Sequence, residues 1–114
     1  MTTNQDKDRA RAELAASLAA FAFRQSQGAI LKPKRGKAET AMARQVAMYS
    51  VYVGFGLSLA RVAAAFNRDR STVAHACRRI EDRRDDGLFD AWLASFEDTL
   101  VQADALGTDE QVVQ

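Results

Sequence analysis

The sequence predicts an all-α protein, a small bundle of about five helices. Three observations carry this expectation. Apolar residues recur at helical spacing in five separate segments. Proline occurs once and glycine six times, mostly between those segments. Alternation of the β type never persists beyond a few residues, and neither an internal repeat nor a low-complexity tract is present. The 114 residues suit one domain, and 47% hydrophobic against 27% charged residues is enough to bury a core without disulfides or metal.

The first helix is expected over about residues 6–27, where Leu14, Leu18 and Phe21 recur at i, i+4, i+7 among alanines. Asp6 and Asp8 suit the positive end of its dipole, and Gly28 reads as its stop. Residues 29–37 follow as a basic connection broken by Pro33 and Gly36. A second helix is expected over about 39–53, with Met42, Val46, Tyr49 and Val53 on one face and Gly54 and Gly56 at its end. Ser58 is a good N-cap for a short helix whose apolar stripe is Leu59, Val62, Ala63 and Phe66, and Asn67 suits a left-handed stop. The fourth helix starts near 69–71, with Asp69 or Ser71 as its cap, and turns Val73, Ala76, Cys77 and Ile80 inward as far as about residue 84. The last is expected over about 88–106, with Phe89, Leu93, Phe96 and Leu100 in one row, Trp92 beside them and Gly107 as the stop. In outline, residues 1–28 read as an N-terminal amphipathic helix, 29–106 as the main domain and 107–114 as a frayed acidic tail.

The net charge of +1 conceals a strong asymmetry. Residues 32–84 carry twelve basic and four acidic groups, and residues 85–114 carry eight acidic groups and no basic one. A basic block of this density followed by an acidic end points to a polyanion partner. Other classes fit poorly. The lone Cys77 has no disulfide or metal-site partner, and at i and i+2 on a helix His75 and Cys77 point to different faces, so neither a metal site nor a catalytic pair is expected. No apolar stretch reaches membrane-spanning length, and the polar start is unlike a signal peptide, so a cytoplasmic, nucleoid-associated protein is expected. Trp92, Phe89 and Phe96 could stack on single strands, but their helical spacing makes them core.

Residues 58–80 form the informative segment: a short amphipathic helix, a tight polar turn, and a second helix that begins with basic and hydroxyl residues. That is the plan of a helix-turn-helix, whose second helix presents its N-terminal residues to the major groove of duplex DNA. The side chains have the matching chemistry. Arg68 and Arg70 suit phosphates or a guanine edge, Asp69 can accept from cytosine, and Ser71 and Thr72 can bond to bases or phosphates.

The wording of this region goes further. Ala43-Arg44-Gln45-Val46-Ala47-Met48-Tyr49, then Leu57-Ser58-Leu59, then the run from Phe66 through Arg68-Asp69-Arg70-Ser71-Thr72-Val73-Ala74-His75-Ala76-Cys77-Arg78-Arg79-Ile80, resembles the C-terminal DNA-binding domain of the bacterial replication initiator DnaA. The resemblance covers roughly residues 30–100. It implies a helix-turn-helix fold, duplex DNA as partner, and a recognition helix on which Arg68, Asp69 and Thr72 match family positions. Ser71 stands where the family has Thr, and Arg70 where it has His. Arg44 matches a backbone-contacting Arg. Met42 stands where the family has an Arg of the loop that reaches the minor groove, for which Lys34, Arg35 and Lys37 could supply a substitute arm.

The expectation is therefore a sequence-selective duplex DNA-binding protein acting in transcription or replication control. Arg68, Asp69, Arg70, Ser71 and Thr72 are expected at the bases, and Lys34, Arg35, Lys37, Arg44, Arg61, His75, Arg78 and Arg79 at the backbone or minor groove. No G-x-x-x-x-G-K-[ST] pattern is present, so a stand-alone relative without the motor domain, nucleotide or other cofactor is expected. Nothing assembles a nucleophile, base and oxyanion site, so no enzyme is expected. The alternative is an interaction module, such as an antagonist of the initiator, that binds a protein partner through the first helix and acidic end.

Overall fold

In a computed structural model, residues 3–32 and 38–113 are described, with side chains as far as Gly107. Six helices occur among the described residues: α1 (Asn4–Phe23), α2 (Gln27–Leu31), α3 (Ala38–Phe55), α4 (Leu59–Phe66), α5 (Arg70–Arg83) and α6 (Gly87–Val113). No strand occurs among them, so the all-α expectation holds.

The N-terminal segment is two helices, not one. Thr3 caps α1 through its side chain, and Asp6 returns a bond to the Thr3 backbone, a reciprocal capping box. The stop is Arg24, in the left-handed conformation at φ 56°, with the Gln25 N–H donating back to the Ala20 carbonyl at 2.9 Å. Ser26 then accepts from the Ala29 N–H and starts α2, so Gly28, expected as a stop, lies inside a helix. The buried face of α1 is also not the leucine row. It is Ala12, Ala15, Ala16 and Ala19, whose small side chains suit close packing against α3. Leu14 and Leu18 are half-buried on its flanks, and Phe21 is 87% exposed.

Helix α3 is the central element. It packs against α1, α2, α4, α5 and α6, and Val46 through Val51 are all buried, so its burial extends round the helix. It is longer than expected because Gly54 continues it. A Cβ at Gly54 would already stand 3.4 Å from the Val101 side chain of α6, and Gly56, at φ +64°, makes the turn.

The next two helices follow the sequence closely. Ser58 caps α4 by accepting from the Arg61 N–H at 3.2 Å. Asn67 closes α4 in the left-handed conformation, with Arg68 N–H bonded to Ala63 and Asn67 N–H to Ala64, the bond pair of a Schellman ending. Asp69 takes the N-cap position of α5 without a side-chain cap bond. Val73, Ala76, Cys77 and Ile80 are buried, as expected from their spacing.

Helix α6 begins where the Asp86 carboxylate accepts from the Leu88 and Phe89 N–H groups. It runs antiparallel to α1: Arg11 pairs with Asp104 near one end, and Phe23 meets Trp92 edge-to-face near the other. Leu93, Phe96 and Leu100 are buried and Phe89 is half-buried, as the row predicts. Gly107 does not stop this helix, which continues to Val113. Trp92 packs on Phe23, Phe89 and Phe96 at the edge of the core. Phe23, which lies off the leucine stripe, is part of this cluster.

Candidate nucleic-acid interface

The site is built on α5 and the turn before it. The apolar stripe of α5 fixes which side faces out. With Val73, Ala76, Cys77 and Ile80 inward, helical spacing leaves Asp69, Arg70, Ser71, Thr72, His75, Arg78 and Arg79 exposed. Arg70, Arg78 and Arg79 have no carboxylate partner among the described residues. Three guanidinium groups and two hydroxyls thus share one solvent-facing surface. Cys77 points the other way, and burial together with the Glu81 charge pushes its thiol up to about 11, so it packs as a neutral side chain at neutral pH.

Arg68 behaves differently from Arg70. It is half-buried and donates through Nη2 to the Lys32 carbonyl, while burial lowers its pKa from the ordinary guanidinium value. It thereby ties the turn of the helix-turn-helix to the end of α2. A shallow cleft of about 330 Å³ lined by Asn67, Arg68, Asp69 and Thr72 opens at this point. Lys32, on the same segment, is exposed and was not among the expected contacts. Lys34, Arg35 and Lys37 lie outside the described residues.

Two of the arginines expected at the DNA backbone are held by partners within the chain, Arg44 buried and Arg61 exposed. Arg44 is 7% exposed and donates to the Ile30 carbonyl at 2.7 Å and the Ala29 carbonyl at 2.9 Å. Burial and the neighbouring Arg68 charge lower its pKa. The cation sits where the carbonyls of the short α2 collect, the favourable end of a helix for positive charge. Arg61 donates Nε and Nη2 to the two carboxylate oxygens of Asp8, each at 2.9 Å. Asp8 is 5% exposed, and its bond raises the Arg61 pKa. The sequence suggests only a dipole-compensating role for Asp8; its place is a fork-to-fork pair joining α1 to α4.

A second network holds the far end of α5. The Tyr49 hydroxyl donates to Glu81 at 2.6 Å and accepts from Arg84 Nη1 at 3.2 Å. Burial, then the Glu81 bond, pushes the Tyr49 phenol up to about 12. Arg84 also holds Asp90 at 2.5 Å and Glu97 at 3.3 Å, and the Asp90 bond is the main reason its pKa is raised. Burial raises the Glu97 pKa against the opposing pull of Arg84. Nothing in local sequence marks this network, because its members come from α3, α5 and α6.

No group of three or more His, Cys, Asp or Glu side chains that could hold a metal occurs among the described residues, and no helix of the described residues is long and apolar enough to cross a membrane.

An all-α core carrying a capped short helix, a left-handed Asn turn and an outward basic helix defines a helix-turn-helix domain. Residues 19–80 match the family described as bacterial dnaA protein helix-turn-helix, and the chain belongs to that family. Over 65 residues it is 40% identical to the chromosomal replication initiator protein DnaA of Pseudothermotoga lettingae, a match covering 57% of this chain and 14% of that protein. A crystal structure of a DNA replication initiation factor superposes with TM-score 0.75 and 30% identity over 85% of this chain. A structure of the replication initiator DnaA bound to AMPPCP and single-stranded DNA does so with TM-score 0.73 and 27% identity over 86%. This chain spans 30% of the length of each of those two chains.

Proposed function

We propose that this chain binds duplex DNA with sequence selectivity, the N-terminal part of α5 entering the major groove, and acts in transcription or replication control at the bacterial nucleoid. The observation that carries the reading is the outward face of α5, where Arg70, Arg78 and Arg79 stand without carboxylate partners around Ser71, Thr72 and His75. Membership of the initiator's helix-turn-helix family supports it. In this reading Asp69, Arg70, Ser71 and Thr72 meet base edges, while Arg78, Arg79, His75 and the basic segment with Lys34, Arg35 and Lys37 meet phosphates or the minor groove. Arg68 serves the same turn from a half-buried position. Arg44, buried, and Arg61, exposed but paired with Asp8, act as braces of the fold.

The test is fluorescence anisotropy on two duplexes, one carrying the initiator box and one a scramble of equal composition, across a salt series. Preference for one duplex is expected, and Arg70→Ala should reduce discrimination by roughly 1–3 kcal/mol at one base pair. Lys34→Ala should weaken both duplexes alike and flatten the salt dependence. Absence of binding to either duplex at low salt would overturn the proposal and favour a protein-binding role. Phe21 and Leu88, each 87% exposed, would be the first places to probe.

A further inference from the structure

Arg83 lies in the last turn of α5 and is exposed. It follows Thr72 and Arg79 at steps of seven and four, so the three share one flank of the helix. Its guanidinium carbon stands 4.6 Å from the centroid of the Phe89 ring, and its Nη1 lies 3.6 Å from the Met42 sulfur on α3. A thioether is a weak acceptor, and stacking on a ring occupies the guanidinium face while leaving its N–H edge open. No carboxylate pairs with Arg83 among the described residues. The contrast with Arg84, which is held by Asp90, Glu97 and Tyr49, is complete. Arg83 is thus an ordered cation whose hydrogen-bonding edge meets only the weak thioether acceptor of Met42.

Its position fits one ligand. From Arg70 to Arg83 the helix axis rises by about 20 Å at 1.5 Å per residue. The major groove is about 12 Å wide. With the first turn of α5 in the groove, the last turn lies beyond its edge, where phosphates are found and bases are not.

We propose that Arg83 is a phosphodiester-binding residue, extending the duplex contact from the first turn of α5 to Met42 on α3. The inference rests on the duplex-binding reading above. Phe89 and Met42 hold the guanidinium in place before DNA arrives, so less side-chain freedom is lost on binding.

The experiment uses the full chain, the two duplexes and the same salt series, with thermal melting of each variant. R83Q is expected to weaken both duplexes alike, by about 3–10-fold, and to reduce the salt slope by about 1. If R83Q melts early, R83K replaces it, and retention of the slope is expected; loss of the slope in R83K overturns the proposal. Unchanged affinity and slope in a folded R83Q overturns it while leaving duplex binding intact. Failure of the unaltered chain to bind removes the underlying reading and this inference with it.

Discussion

Tyr49→Phe tests how the recognition helix is held, and its effect depends on pH in a way the geometry fixes. The Tyr49 hydroxyl joins α3 to α5 by donating to Glu81 at 2.6 Å, and it accepts from Arg84. A hydrogen bond to a charged group is worth about 1.5–3 kcal/mol. Glu81 is exposed and regains water when the hydroxyl is removed, so a loss of about 1.5 kcal/mol near pH 7 is expected. Alkali reverses the comparison. The phenol titrates at about 12 in the folded chain against about 10 when unfolded. Below pH 10 both states keep the proton and the bond contributes fully. Above pH 10 the unfolded chain releases its proton first, so the native protein loses stability, by about 1.4 kcal/mol at pH 11 and about 2–3 kcal/mol once pH exceeds 12. The Phe variant has no such loss. Urea unfolding of both proteins from pH 7 to 11.5 should show the difference shrinking to near zero. Cys77, whose thiol is raised to about 11, titrates in both proteins and cancels in the difference. A stability difference that stays constant from pH 8 to 11.5 would refute the reasoning.

Two further outcomes follow from burial. The Ser50 hydroxyl is fully buried in α3 without a hydrogen-bond partner among the described residues, so Ser50→Ala should raise stability by about 1 kcal/mol, read as a higher denaturation midpoint at unchanged slope; a lower midpoint would show that the hydroxyl is satisfied. Removal of residues 1–24 should abolish cooperative unfolding, because Ala12, Ala15, Ala16 and Ala19 form part of the core and Asp8 anchors Arg61. A truncated chain that still melts cooperatively and binds DNA would mean that α1 is an appendage, as the interaction-module alternative requires.

The parts of the fold legible in the sequence are those decided by neighbouring residues. Ser58 and Asn67 cap α4 because an N-cap needs only a side-chain acceptor, and a left-handed stop needs only a residue that tolerates it. The inward row of α5 followed from spacing for the same reason. The errors came where a distant element decides. Leu14, Leu18 and Phe21 have the right period, yet α3 lies against the alanine row, so close approach outweighed side-chain size. Gly54 looks like a breaker in sequence, but α3 continues past it with Val101 of α6 lying close by. Helix α2 is hidden in the sequence by Gly28 and by a length of five residues; the structure shows Ser26 as its cap.

The basic block shows the same division at the level of charge. Counting finds twelve cations between residues 32 and 84 but cannot say which are available. Arg61 meets Asp8 across 53 residues of chain, Arg68 meets Lys32 across 36, and Arg44 meets Ile30 across 14. None of these partners lies within a helical turn, so no local pattern announces them. What remains open on α5 is the set that no carboxylate holds among the described residues: Arg70, Arg78, Arg79 and Arg83. The asymmetry of charge thus has two physical uses. Arginines on α3, on α4 and in the turn hold the elements of the helix-turn-helix to α1 and α2, and arginines on α5 stay exposed because that helix turns a strictly apolar stripe inward. In the duplex-binding reading proposed above, rigidity from the first set gives the second a fixed frame, and a fixed frame is what distinguishes reading a sequence from merely neutralising a polyanion.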